Sequence, residues 1–308
     1  MRIEIGYDIA FEAPAAVPML LMLKVHPSRE GDLEASDAAI FDPPIPSRSF
    51  IDRFGNRGTR LVAPAGRLRV SNRVAIRDAG QEDILVPAAA QILVDELPAD
   101  TLEFLFGSRY CDTDHLSDIA WSTFAGVCPG WPRVQAICDY VHDRLTFSYS
   151  DACSTRTARE AHDGRRGVCR DFAHLAISFC RCMNIPARYC TGYLGDIGVP
   201  PDPAPMDFSA WFEAYLDGAW HTFDARHNIP RIGRIVIARG RDAADVAIST
   251  SFGPTRLVGF SVISREIPPG REPAALANSI VPELETVAHV ATYGGPERET
   301  RLRPHVWP

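Results

Sequence analysis

Residues 164–194 read GRRGVCRDFAHLAISFCRCMNIPARYCTGYL, and this stretch decides the fold. Gly164 and Gly167 lead into Cys169, which opens an apolar segment running to about Asn184. Pro186 forbids continuation, so the spacing predicts a helix that ends before it. Phe172, Leu175, Ala176, Ile177, Phe179 and Met183 cover nearly every side of that helix. A helix apolar all round belongs in the middle of a domain. Residues 187–194 then read as a strand. The first turn of a helix exposes unpaired N–H groups and a partial positive charge. Both favour a thiolate and predict a lowered cysteine pKa. The same N–H groups suit a developing oxyanion. Arg165, Arg166 and Arg170 add positive charge nearby. Cys169 is thus placed for nucleophilic attack. His174 lies five residues on, roughly 140° around the helix. It points away and is expected to be structural or on the surface, sharing one polar stripe with Ser178 and Arg181. None of the other seven cysteines follows a glycine-rich turn into a helix.

A second informative block is residues 208–228, FSAWFEAYLDGAWHTFDARHN. It reads as two strands, 208–216 and 219–225, joined at Asp217-Gly218. A two-residue turn pairs Leu216 with Ala219. Counting outward, Glu213 opposes Thr222, Trp211 opposes Asp224, and Ser209 opposes Arg226. Side chains alternate faces, so Ser209 and Asp224 share a face as diagonal neighbours, and Trp211 shares it too. His221 falls on the opposite face. His227 lies beyond the expected strand end. Arg226 is expected to serve a surface salt bridge, the alternative being a hold on a substrate carboxylate. The preceding loop, residues 195–207, carries Pro200, Pro201, Pro203 and Pro205. It reads equally as one wall of a groove or as a plain crossover.

Outward from these blocks the chain changes character. Residues 1–95 are β-rich. Ile3, Ile5, Tyr7, Ile9 and Phe11 alternate with polar positions, as in a half-buried strand and unlike a signal peptide. Met19 to Val25 looks like a second strand, and Gly55-Asn56 marks a hairpin. Leu68, Val70, Val74 and Ile76 alternate with arginines. Residues 96–265 form a second domain in which Pro132 opens a helix with Val134, Ile137, Val141 and Leu145 at helical spacing. Residues 232–263 read as further strands of that domain. Residues 266–308 form a proline-rich extension, expected to be an extended arm or partly disordered.

The 308 residues carry a net charge of −7 and are 46% apolar. That composition supports a full core and excludes a nucleic acid or anionic membrane as the expected partner. No run approaches the roughly 18–20 apolar residues of a membrane span. With no export signal in the reading, the eight cysteines are expected as reduced thiols in the cytoplasm. No CxxC pair or acidic calcium loop is present, so no metal and no cofactor are expected.

The two blocks together resemble the bacterial transglutaminase-like superfamily, whose members have a papain-like fold and are often described as cysteine proteases. The likeness covers roughly residues 1–265 and implies an α+β, papain-like/transglutaminase-like core. Its helix carries the cysteine and packs on an antiparallel sheet, after a small β-sandwich or barrel domain. It implies Cys169 as nucleophile and Asp224 as the orienting carboxylate. The family's histidine would stand immediately before Ala210-Trp211, where this chain has Ser209. His227 is the next candidate base, and His162, His142 and His115 are weaker ones. Three readings follow: a cysteine-dependent amide or ester hydrolase or acyl transferase, a pseudoenzyme that binds peptide or protein, and a structural module. A peptide or protein, or a small amide or ester, is the expected substrate.

Overall fold

The computed structural model describes residues 1–268 and Gly270; the expected extension lies almost wholly outside them. Six strands come first: β1 (Arg2–Ala13), β2 (Val17–Leu21), β3 (Ile40–Asp42), β4 (Ser47–Ile51), β5 (Arg57–Ala63) and β6 (Gly66–Arg77). The alternation of β1 has its expected cause. Ile3, Ile5, Tyr7, Ile9 and Phe11 are all buried, and so are Leu68, Val70, Val74 and Ile76 of its partner β6. β4 and β5 form the hairpin marked by Gly55-Asn56, with Ile51 paired to Arg57.

The second half holds α1 (Ser117–Phe124), α2 (Trp131–Arg144), β7 (Thr146–Phe147), α3 (Ala158–Gly164), β8 (Arg166–Gly167) and α4 (Cys169–Cys182). These are followed by β9 (Ala187–Tyr193), β10 (Ser209–Leu216), β11 (Ala219–Phe223) and β12 (Ile235–Gly240). The last four make one antiparallel sheet in the order β11-β10-β9-β12. α4 lies on β9 and β10, with α1, α2 and α3 packed around it. Its residues from Arg170 to Arg181 are all buried. Ala210, Phe212, Ala214 and Leu216 of β10 join the same core. The architecture is therefore α+β, with a cysteine-bearing helix on an antiparallel sheet.

Two further strands, β13 (Ser249–Ser251) and β14 (Arg256–Glu266), leave that sheet. They complete the N-terminal sheets, whose orders are β14-β1-β6-β3 and β13-β2-β5-β4. β14 pairs with β1 along most of its length, from Ile3 opposite Glu266 to Glu12 opposite Arg256. Residues 232–263 thus divide between the two halves, because β1 needs a partner on its second edge. Glu4, buried in β1, is flanked by Arg73 of β6 at 3.6 Å and Arg265 of β14 at 2.7 Å. No helix among the described residues is long and apolar enough to cross a membrane.

Candidate active site

The local sequence explains why α4 starts where it does. Asp171, fully buried, turns back so that its Oδ2 accepts the Val168 N–H at 2.9 Å. That satisfies a donor next to the helix start, as a capping carboxylate does. Arg156 pairs with the same oxygen at 3.1 Å. A Cβ on residue 167 would meet Asp171 Oδ2 at 2.5 Å and its Cβ at 2.6 Å. Gly167 is therefore the residue that lets this cap close, and the cap fixes Cys169 as the first helical residue. The Cys169 and Arg170 amides belong to the first turn, whose donors have no intrahelical acceptor.

The Cys169 thiol is half-buried and faces the start of β10. Its Sγ lies 4.0 Å from the Phe208 carbonyl, and the Ala210 backbone amide favours its thiolate form. The group lines a cavity of about 100 Å³ together with Cys153, Arg170, Asp207, Ser209 and Tyr189. The cavity has polar and apolar walls, so the thiol is not sealed in hydrocarbon.

The expected lowering of the thiol pKa is not found. Burial pushes the Cys169 thiol up to about 11, opposed first by Arg226, while Asp207 adds to the rise. Desolvation penalises the thiolate more than the nearby positive charge favours it. Of the three neighbouring arginines, Arg166 and Arg170 are engaged elsewhere. Arg166 pairs with Asp151 at 3.4 Å, Arg170 stands over the Tyr110 ring and donates to the Cys153 carbonyl, and Arg165 is the left-handed C-cap of α3. The arginine that acts on the thiol is Arg226. Its guanidinium stacks 3.6 Å from the Phe147 ring centroid and makes no salt bridge among the described residues. The expected surface salt bridge is thus replaced by a stacked cation facing Cys169, Asp207 and Tyr149.

Ser209, at the start of β10, is buried and lines the Cys169 cavity. Its backbone carbonyl accepts the Thr191 hydroxyl at 3.3 Å. The hairpin register holds as far as Phe212 opposite Phe223, including Glu213 opposite Thr222. It stops there, so Asp224 does not pair with Trp211, nor Arg226 with Ser209. The physical reason is Asp224 itself. Its Oδ1 accepts the amides of Arg226 at 3.0 Å and His227 at 3.1 Å, which bends the chain into a turn. Among the described residues no hydrogen bond joins Asp224 to Ser209 or Cys169.

Asp224 instead anchors a separate buried cluster. Its Oδ2 accepts from His227 Nδ1 at 2.9 Å and pairs with Arg234 at 2.9 Å. Arg234 also donates Nε to Asp83 at 2.8 Å and stands over the Trp211 ring. Burial opposes ionisation of Asp224, but Arg234 and His227 outweigh it and hold its carboxyl well below the usual range. Trp211, expected to face the site, lies on the opposite side of the sheet, in a small cluster with Cys190 and Val236. Alternation along β10 gives the α4 face to Ala210 and Phe212 and the other to Trp211, while Ser209, at the strand's first position, still lines the Cys169 cavity.

Among the described residues, His174, His162, His142 and His221 have structural partners, and none of them, nor His115, lines the Cys169 cavity. His174 is fully buried, not on the surface; its Nε2 accepts the Ala243 N–H at 3.1 Å and its ring stacks on Tyr110. Burial pushes its pKa well down. His162 bonds the Tyr140 hydroxyl at 2.9 Å. His142 bonds the Arg226 carbonyl at 2.9 Å, and His221 bonds the Leu216 carbonyl at 3.1 Å. Sequence reasoning missed Asp207, the last residue of the proline loop, which lines the cavity beside Cys169. Its position two residues before Ser209 was the one available signal.

Comparison with known proteins matches the fold that carries this site. The sequence profile of the transglutaminase-like superfamily fits residues 122–225, a span that contains Cys169, Ser209 and Asp224. The crystal structure described as "a Putative Cysteine Protease from Cytophaga hutchinsonii" superposes with a TM-score of 0.75 at 32% identity, covering 89% of this chain and 93% of that one. An uncharacterised Mycobacterium leprae protein, ML0607, is 36% identical over 85 residues, which span 27% of this chain and only 30% of that protein. With a shared core profile and a near full-length relative of the same architecture, the chain belongs to the transglutaminase-like superfamily.

Proposed function

We propose that this protein is a cysteine-dependent acyl-transfer enzyme, a hydrolase or acyl transferase, with Cys169 as nucleophile. The observation that carries this reading is the seat of the thiol. It stands at the first residue of a buried helix, lines a small cavity, and has the Ala210 N–H and first-turn amides nearby. Such amides suit the oxyanion of a tetrahedral intermediate. Because the histidine position is Ser209 and the thiol rests protonated, activated esters and thioesters are better substrates than unstrained peptides. A peptide or protein acyl donor remains the natural class for a relative of a described cysteine protease. All eight cysteines are free thiols, which supports a reducing compartment such as the cytoplasm.

The test is steady-state hydrolysis of an ester, thioester and anilide series by wild type, Cys169→Ala and Cys153→Ala. Loss confined to Cys169→Ala, with esters and thioesters turned over at least tenfold faster than anilides, is the expected result. Equal rates in wild type and Cys169→Ala would remove the proposal.

A second reading is favoured by the Asp224 cluster. The carboxylate that should orient a base is committed to Arg234, His227 and two amides. A binding module that keeps the groove without chemistry needs no base. Under that reading Cys169→Ala binds a captured peptide as tightly as wild type, and no substrate in the series turns over.

A further inference from the structure

Cys169 is a protonated thiol in a cavity that no histidine lines. Every titratable group that faces it narrows the choice of proton acceptor. Cys169 and Asp171 come from the start of α4, Tyr149 from the segment after β7, Tyr189 from β9, and Arg226 from the turn after β11. Cys153 and Arg170 also line the cavity. Burial pushes both tyrosine phenols up, so they keep their protons at neutral pH. Asp171 is spent on the Val168 amide and Arg156. The cationic arginines cannot accept a proton. Asp207 is left. Its Oδ1 is fixed by the Phe208 N–H at 2.6 Å, and its Oδ2 makes no hydrogen bond among the described residues.

We propose that Asp207 is the general base and acid for Cys169, doing from the end of the proline loop what a histidine at position 209 would do. This rests on Cys169 being the nucleophile. In acylation the S–H proton passes to the Asp207 carboxylate as sulfur attacks the acyl carbon. A C–S bond forms, the oxyanion collapses, and the leaving alkoxide or amine takes the proton from Asp207. In deacylation water gives a proton to Asp207 and its oxygen bonds the acyl carbon. The C–S bond then breaks, and the Asp207 proton returns to sulfur. Burial pushes the Asp207 carboxyl up to about 6, with the Phe208 amide and Arg226 opposing. At neutral pH it is therefore ionised yet more basic than an ordinary aspartate, which suits it to proton transfer.

The probe is p-nitrophenyl acetate, whose leaving group departs without needing a proton. Burst amplitude reports acylation of Cys169, and the steady rate reports deacylation. Wild type should show a Cys169-dependent burst and a deacylation rate that rises with pH through about 6. Asp207→Asn should keep a burst, lose that inflection, and deacylate about 10²-fold more slowly, the usual worth of a general base. Adding Ser209→His to Asp207→Asn should recover the rate, which a structural defect would not allow. Independently, Asp207→Asn should move the alkylation inflection of Cys169 to lower pH, because an anion beside the thiol is gone. If Asp207→Asn fails to fold, Asp207→Glu serves, with a shifted inflection expected. A Cys169-dependent burst whose deacylation ignores both the substitution and pH overturns the role of Asp207 alone. No burst at Cys169 overturns the nucleophile and Asp207 with it.

Discussion

Replacing Arg234 by methionine tests the electrostatics behind this site. The Arg234 guanidinium is 7% exposed and bridges Asp224, 4% exposed, to Asp83, 15% exposed. Burial this deep leaves little solvent to screen an orphaned charge. Breaking a buried pair from one side typically costs about 3–5 kcal/mol. For a chain of this size, at about 2 °C per kcal/mol, the midpoint of thermal unfolding should fall by about 6–10 °C. The assay is thermal and urea unfolding at pH 7. The control is Arg234→Met combined with Asp224→Asn, which removes the stranded carboxylate. It should be more stable than Arg234→Met alone by about 1 kcal/mol or more. The pH dependence has a fixed sign. Asp224 is held below its ordinary value of 3.8 in the folded protein. Its contribution is therefore full above that pH and is lost as pH falls below it. Arg234→Met should lose much of that acid sensitivity. A loss under about 1 kcal/mol, or a double variant weaker than the single one, would refute the cluster as a stability determinant.

Three other outcomes follow from the geometry. Iodoacetamide should modify Cys153, whose thiol is lowered by its Thr155 bonds, before Cys169. With its thiol near 11, Cys169 should react at pH 7 about 10²-fold more slowly than a free cysteine of ordinary pKa; mass mapping across a pH series reads both. Arg226→Met should raise the Cys169 alkylation inflection further, since the opposing cation is removed. Ser209→His should raise turnover of activated esters about 10²- to 10⁴-fold, measured by steady-state kinetics. An unchanged rate in a folded variant would count against the placement of the site.

Much of the core was legible because its signals are local. Gly167, Val168 and Cys169 announce the helix start, and α4 runs Cys169–Cys182, close to the span its apolar residues predict. Asp217-Gly218 sets the β10–β11 register, and Leu216 meets Ala219 as counted. What escaped is long-range or competitive. Nothing within residues 256–266 says that they will pair with β1, more than 200 residues earlier. Asp224 read as a strand residue, but its carboxylate satisfies two following amides and ends the strand. The thiol pKa depends on how far β10 and the proline loop desolvate Cys169, which no helix-end argument measures. Asp207 looked like a loop terminus because its importance lies in the cavity it closes.

The most direct test of the account is covalent. The protein is incubated with p-nitrophenyl acetate near neutral pH, quenched in acid, and the acetyl group is located by peptide mass mapping across all eight cysteines. Acetyl on Cys169, absent from Cys169→Ala and disappearing with time, is the predicted result. Acetyl confined to Cys153 or Cys128, with Cys169 unmodified, would contradict it.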